Sequence, residues 1–161
     1  MKYLVVSDLH VPTRNREIPD VILEEAEKCD GIFALGDFVD INTVLLLQQT
    51  NKNFFAVYGN MDEPDVKDYL TSQKIVQIGN FTIGLIHGSG SHFNIPERIK
   101  NHFDNEVNVI LYGHSHLVDD STKFGKRFIN PGAGHKTYGI IEVKGDKLTF
   151  TVKKIKGGLS W

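Results

Sequence analysis

Seven side chains of metal-ligand type stand on five loops, and each loop directly follows an apolar run. Asp8 and His10 follow Lys2-Tyr3-Leu4-Val5-Val6. Asp37 follows Ile32-Phe33-Ala34-Leu35-Gly36, and Asn60 follows Phe54-Phe55-Ala56-Val57-Tyr58-Gly59. His87 follows Phe81-Thr82-Ile83-Gly84-Leu85-Ile86, while His114 and His116 follow Val109-Ile110-Leu111-Tyr112-Gly113. Two carboxylates, one amide and four imidazoles form a mixed nitrogen and oxygen donor set that suits divalent transition metals, with no thiolate to point to a structural zinc. Seven donors exceed what one ion needs. Two ions sharing a carboxylate would use them all, and Asp37, with ligand-bearing loops before and after it, is the residue best placed to bridge.

Two divalent cations offset by two aspartates and a hydroxide leave about one net positive charge, so the expected substrate is an anion. A pair of ions roughly 3.5 to 4 Å apart acidifies a bound water and clamps the attacking and leaving oxygens of an in-line displacement at phosphorus. Such a centre needs no side-chain nucleophile. The sequence accordingly contains no Gly-x-Ser-x-Gly elbow, no Gly-x-x-x-x-Gly-Lys phosphate loop and no complete dinucleotide fingerprint. Mixed His/Asp/Asn ligation favours Mn²⁺, Ni²⁺ or Fe, with Zn²⁺ or Mg²⁺ as alternatives.

The elements that must position these residues are readable from periodicity. Apolar residues at helical spacing over 17 to 29 predict an amphipathic crossover helix, a second helix is expected over 41 to 49, and a polar one near 64 to 72 behind Pro64. Strand and helix alternate through this half, which builds a parallel sheet. From residue 74 the pattern changes to a hairpin across Gly79-Asn80, then a helix near 95 to 104, the strand before His114, and further strands from Arg127 onward. The expected fold is α/β, with two mixed β-sheets packed face to face, helices outside, and the ligand loops gathered at one end.

Within that frame Asp8-Leu9-His10, Gly36-Asp37-Phe38-Val39-Asp40, Gly59-Asn60, His87-Gly88 and Gly113-His114-Ser115-His116 together resemble the calcineurin-like metallophosphoesterases, in their small single-domain phosphodiesterase subgroup. Asn130-Pro131-Gly132 extends the likeness. The resemblance implies a four-layer αββα sandwich, one ion held by Asp8, His10, Asp37 and His116, and a second by Asp37, Asn60, His87 and His114. It also implies that Asp40 orients a ligand histidine rather than binding metal. Larger members carry a histidine after the Gly-Asn pair to assist the leaving group, whereas this chain has Met61. The same resemblance reaches a retromer subunit that serves as a protein-interaction scaffold without an intact metal set, while every ligand position is filled here. A phosphomonoesterase or nuclease is the other alternative.

With 161 residues, 40% of them hydrophobic, a single domain over 1–161 is expected. A net charge of -2 offers no extended nucleic-acid or membrane surface, so the expected partner is a small phosphate ester. Cys29 alone excludes an internal disulfide, and the lack of a long apolar run or basic-then-apolar leader predicts a cytoplasmic protein. Trp161 either packs back on the body or sits in a homo-oligomer contact. Outside the ligand set, His92 and His135 lie in loops that could line the mouth of the site, His102 reads as a surface residue, Arg14 and Arg16 as solvated loop charges, and Asp62 as either near the site or capping the next helix.

Overall fold

The computed structural model describes residues 1–155; the expectations for Trp161 and the segment before it lie outside the described residues. One sheet has the order β10-β9-β1-β2-β3. Its parallel part comprises β1 (Lys2–Val6), β2 (Gly31–Ala34) and β3 (Phe54–Ala56), joined through α1 (Asp20–Lys28) and α2 (Ile41–Thr50). β9 (Thr137–Lys144) and β10 (Lys147–Lys154) add an antiparallel pair beside β1. The other sheet runs β4-β5-β6-β8-β7, from β4 (Gln73–Ile78), β5 (Phe81–Ile86), β6 (Val109–Leu111), β7 (Val118–Lys123) and β8 (Lys126–Pro131). β5, β6 and β8 are parallel, with β4 and β7 antiparallel at the edges.

Period-two alternation sorts the strand residues into layers. Leu4 and Val6 face Ile22 and Ala26 of α1 and Val44 and Leu47 of α2, with Val66 of α3 (Pro64–Tyr69) in the same cluster. Tyr3 and Val5 point the other way, into a core shared with Phe33, Leu35, Ile83, Leu85 and Leu111 of both sheets. A third cluster packs Ile95 and Ile99 of α4 (Ile95–Ile99) on Ile86, Ile110 and Phe128. The order helix, sheet, sheet, helix follows, as the sequence predicts. Because β1 and β2 are covered on both faces they read as continuous apolar runs.

Three boundaries differ from expectation. α1 begins only at Asp20, since Ile18 precedes Pro19 and is steered away from helical backbone. The helix expected over 95 to 104 stops at Ile99 and continues as a 3₁₀ turn, Lys100–His102. β7, Val-Asp-Asp-Ser-Thr-Lys, is not anticipated at all. It is a mostly exposed edge strand, with Asp119 accepting from the Tyr112 hydroxyl and Asp120 paired with Arg127, and it closes onto β8 through Phe124 and Gly125, both at positive φ. Among the described residues no helix is long and apolar enough to cross a membrane.

The register brings the chemistry together. Val6 pairs with Ala34, so the loops leaving β1 and β2 run side by side, tied by Asp8 N to Gly36 O at 3.0 Å and His10 N to Asp37 O at 2.9 Å. Gly113 N donates to His87 O at 3.1 Å, and Gly134 N to Ser7 O at 2.8 Å, linking the two sheets' loops at the same end.

Candidate metal centre

Five of the seven residues adopt left-handed backbone: Asp8 (φ 55°), His10 (51°), Asp37 (58°), His114 (71°) and His116 (64°). For residues with a Cβ this costs roughly 1–2 kcal/mol each, so the surrounding bonds must hold the loops in place. Two glycines permit the loops to touch. A Cβ on Gly59 would strike the Asp37 carboxylate, and one on Gly113 would strike Ser7 Oγ and Asp8 Oδ2.

Each aspartate gives one oxygen to the protein and the other to the centre. Asp8 Oδ2 accepts from Ser7 Oγ at 2.7 Å and His114 N at 3.1 Å, while Asp37 Oδ1 accepts from Met61 N at 2.8 Å. Facing inward, Asp8 Oδ1 lies 3.4 Å from His116 Nε2 and 3.8 Å from both His10 Nε2 and His87 Nε2. Asp37 Oδ2 lies 3.1 Å from His87 Nε2 and 3.7 Å from His10 Nε2. Even the 3.1 Å approach is out of line for a hydrogen bond. Asp8 Oδ1, His10 Nε2 and His87 Nε2 are all buried without a hydrogen-bond partner. Such orphaned polar atoms are costly unless something satisfies them, and a divalent cation among them would do so. The donor set therefore fits metal, in the groups Asp8/His10/His116 and Asp8/Asp37/His87. Asp8 belongs to both groups and Asp37 to one, with Asp37 Oδ2 also 3.7 Å from His10 Nε2, a placement that sequence order did not reveal.

Asn60 and His114 lie at the rim, with His114 outside both groups, its Nδ1 3.2 Å from Asn60 Oδ1 and its ring 5.4 Å from that of His87. The other nitrogen of His114, Nε2, donates to Gly90 O at 2.7 Å, and Nδ1 of His87 donates to Leu35 O at 2.6 Å. Backbone carbonyls thus hold both rings, leaving His87 Nε2 facing the aspartates and His114 Nδ1 facing Asn60. This corrects the role expected for Asp40. Its carboxylate instead caps α2, accepting from Thr43 N at 3.0 Å and Thr43 Oγ1 at 2.9 Å.

Electrostatics follow the geometry. Burial disfavours charge on Asp8, but the imidazoles of His10, His116 and His87 around it hold its carboxyl below the ordinary range. Burial likewise opposes a proton on His87, yet Asp37 and Asp8 outweigh it and push the imidazole up to about 9. A metal ligand must be deprotonated, so loading the centre below that pH releases a proton. Titrations with Mn²⁺ in buffers of different ionisation heat are expected to show this release near neutral pH and its decline as the pH passes about 9; the same proton count at both ends of the range would contradict it.

Two residues matter more than the sequence indicated. Asp62, buried, accepts from Asp37 N (3.0 Å), Val39 N (2.7 Å) and Gly59 N (2.7 Å), binding the second and third ligand loops to each other rather than capping α3. Burial raises its carboxyl, the Gly59 and Val39 amides pull it down and Asp37 pushes it up, for a net rise. Arg98 gathers the 89–94 loop, donating from Nε and Nη2 to Ser89 O at 3.1 and 2.7 Å, from Nη1 to Phe93 O at 2.7 Å, and from Nη2 to Ser91 O. That loop supplies Gly90 O to His114. Arg98→Met is expected to weaken one of two bound ions by ~10- to 100-fold, the cost typical of losing a partner that orients a ligand, and to spare the other. Calorimetric metal titration checks this, and unchanged affinity for both ions would refute it.

Of the remaining candidates, His92 is exposed at the mouth, its ring 4.9 Å from that of His114 and 5.8 Å from that of His116. His135 is buried and its imidazole is lowered to about 4, by burial and then by Lys136, His116, His10 and Arg14. His102 is exposed on the 3₁₀ turn.

The profile of the "Calcineurin-like phosphoesterase superfamily domain" matches residues 1–155. The chain belongs to that superfamily. Among its relatives is a probable metallophosphoesterase of Methanocaldococcus jannaschii, 31% identical over 134 residues; the alignment covers 80% of this chain and spans 66% of that protein's length. A solution NMR structure of a Thermotoga maritima protein superposes with a TM-score of 0.81 at 40% identity, covering 96% of this chain and 99% of the other. Wild-type Vps29 of Entamoeba histolytica, crystallised in complex with Zn²⁺, gives a TM-score of 0.79 at 25% identity over 99% of this chain and 95% of its own.

Proposed function

We propose that the chain is a metal-dependent phosphodiesterase. The observation that carries this reading is the convergence of Asp8 Oδ1, His10 Nε2 and His87 Nε2, buried and without hydrogen-bond partners, on the inward oxygen of Asp37. One ion would be held by Asp8, His10, Asp37 and His116, and a second by Asp37, Asn60, His87 and His114. Bound there, divalent ions supply an acidified water and a positive clamp on phosphate oxygens. The chain's own residues hold the donors still. Leu35 O and Gly90 O set the histidine tautomers, and Met61 N and Ser7 Oγ turn the aspartates.

Nearby hydroxyls are committed to structure: Ser7 Oγ donates to Asp8, and Ser115 Oγ accepts from Asn130 Nδ2 at 3.0 Å and from Leu117 N at 3.1 Å. They support no side-chain nucleophile. Met61 reaches the centre only through its backbone, and its thioether carries no proton for a leaving alkoxide. Activated aryl diesters are therefore the expected substrates, and unactivated alkyl monoesters poor ones. Mn²⁺, Ni²⁺ or Fe suits the donors best.

The likeness to Vps29 favours a second reading, a docking scaffold of the same fold. Metal content does not separate the two, because a Vps29 structure itself holds Zn²⁺. Hydrolysis does. Release of 4-nitrophenol from bis(4-nitrophenyl) phosphate in the presence of Mn²⁺, Ni²⁺, Mg²⁺ or Zn²⁺, abolished by chelator, is expected; no metal-dependent rate above background with any of them would sink the enzyme reading.

A further inference from the structure

A pocket of about 270 Å³ opens beside Asn60 and His87, between the start of β4 and the α4–3₁₀ segment. Its floor is apolar, with Ile86 9% and Ile99 2% exposed, and Tyr58 half-buried beside them. Ser72, Gln73 and His102 give the rim hydrogen-bonding groups. Among the described residues no carboxylate lines it. Its one arginine, Arg98, has its guanidinium engaged by the carbonyls of Ser89, Ser91, Phe93 and Asn94. A second phosphate would find no uncommitted guanidinium there, and an ammonium no anion. An uncharged ring with a few polar edges matches both floor and rim. The volume lies just below the ~300 Å³ at which pockets begin to enclose whole drug-sized ligands, so it suits one arm of a larger molecule.

We propose that this pocket is the subsite for one ester arm of the substrate, and that the arm is an uncharged, ring-bearing group of nucleoside size. The proposal rests on the phosphodiesterase reading for the position of the phosphorus, next to Asn60 and His87. Its chemistry is its own. A phosphomonoester of a small alcohol leaves the pocket empty, whereas a nucleoside ester buries a ring on Ile86, Ile99 and Tyr58.

The test uses Mn²⁺-saturated protein and two probes of equal phosphate chemistry, thymidine 5′-phosphate and methyl phosphate, titrated calorimetrically. The native chain is expected to bind the nucleotide about tenfold or more tighter, the gain from burying one ring. Ser72→Trp, an exposed rim substitution, should remove that preference and leave methyl phosphate affinity unchanged. Gln73→Ala, which fills nothing, should reduce the preference only in part. Equal affinity for the two probes in the native chain overturns the proposal, as does a Ser72→Trp variant that still unfolds at the native temperature and keeps the preference. Hydrolysis of bis(4-nitrophenyl) phosphate is followed in parallel. In the native chain, equal affinity for the two probes with hydrolysis intact defeats the subsite alone, and absence of hydrolysis with the preference intact defeats the phosphodiesterase reading alone.

Discussion

Asp37→Asn is expected to cost more than ~100-fold in affinity for both ions and to remove nearly all metal-dependent hydrolysis. A change to a residue that merely orients a ligand costs ~10- to 100-fold, and Asp37 is closer to the centre than that. Its Oδ2 faces His87 Nε2 at 3.1 Å and His10 Nε2 at 3.7 Å, so it stands between the histidines of the two groups. Asparagine keeps the shape and the bond from Met61 N to Oδ1, but it exchanges the inward oxygen for an NH₂ whose hydrogens point where a cation would sit. Asp8→Asn is the comparison. Asp8 Oδ1 is nearest His116 Nε2, at 3.4 Å against 3.8 Å for His10 and His87, so its loss should fall more heavily on the ion shared with His116 than on the other. Metal titrations of both variants read the difference. Native affinity for two ions in Asp37→Asn, or equal and independent losses in the two variants, would reject Asp37 as the bridge.

The donor set was legible because ligand residues sit where an apolar run ends, a pattern that side-chain types alone display. Two sheets with helices outside were legible from the alternation of strand and helix and the later hairpins; the division of Leu4/Val6 from Tyr3/Val5 between two cores was not, because all four are apolar. What stayed hidden is carried by the backbone. Leu35 O and Gly90 O, which turn His87 and His114, belong to residues whose types say nothing of that role. The family resemblance implies this work for Asp40, whereas in this chain the residue opens a helix and caps it. β7 escaped because an exposed edge strand needs no apolar face, and Val-Asp-Asp-Ser-Thr-Lys has almost none. Arg98 reads on paper as a surface charge, and its importance comes from carbonyls of a loop that only the fold brings round it.

Asp62 is the sharpest case of that kind, and Asp62→Ala is expected to be the most destabilising single change at the site. Its carboxylate accepts three main-chain N–H groups, those of Asp37, Val39 and Gly59, two of them more than twenty residues away in sequence. Truncation leaves three buried donors to find other partners, at about 1–3 kcal/mol for each that finds none. A loss on the order of 3–5 kcal/mol follows if water rescues part of the set, a size reached only by a few kinds of substitution. The consequence for the site is as direct. Asp37 (φ 58°) and Val39 (φ 86°) both hold left-handed backbone, and two of the three bonds are what keep them there. Freed, Asp37 would relax toward ordinary backbone and carry its inward oxygen away from His87. Asp62→Asn separates bonding from packing. One amide oxygen at the Oδ2 position retains Asp37 N and Gly59 N but presents an NH₂ to Val39 N, so the asparagine variant should lose less than half of what alanine loses and keep measurable metal binding. Chemical denaturation without metal, followed by metal titration of the same samples, measures both. If alanine costs under about 1 kcal/mol, or if both variants load metal as the native chain does, Asp62 is not what holds the loops together.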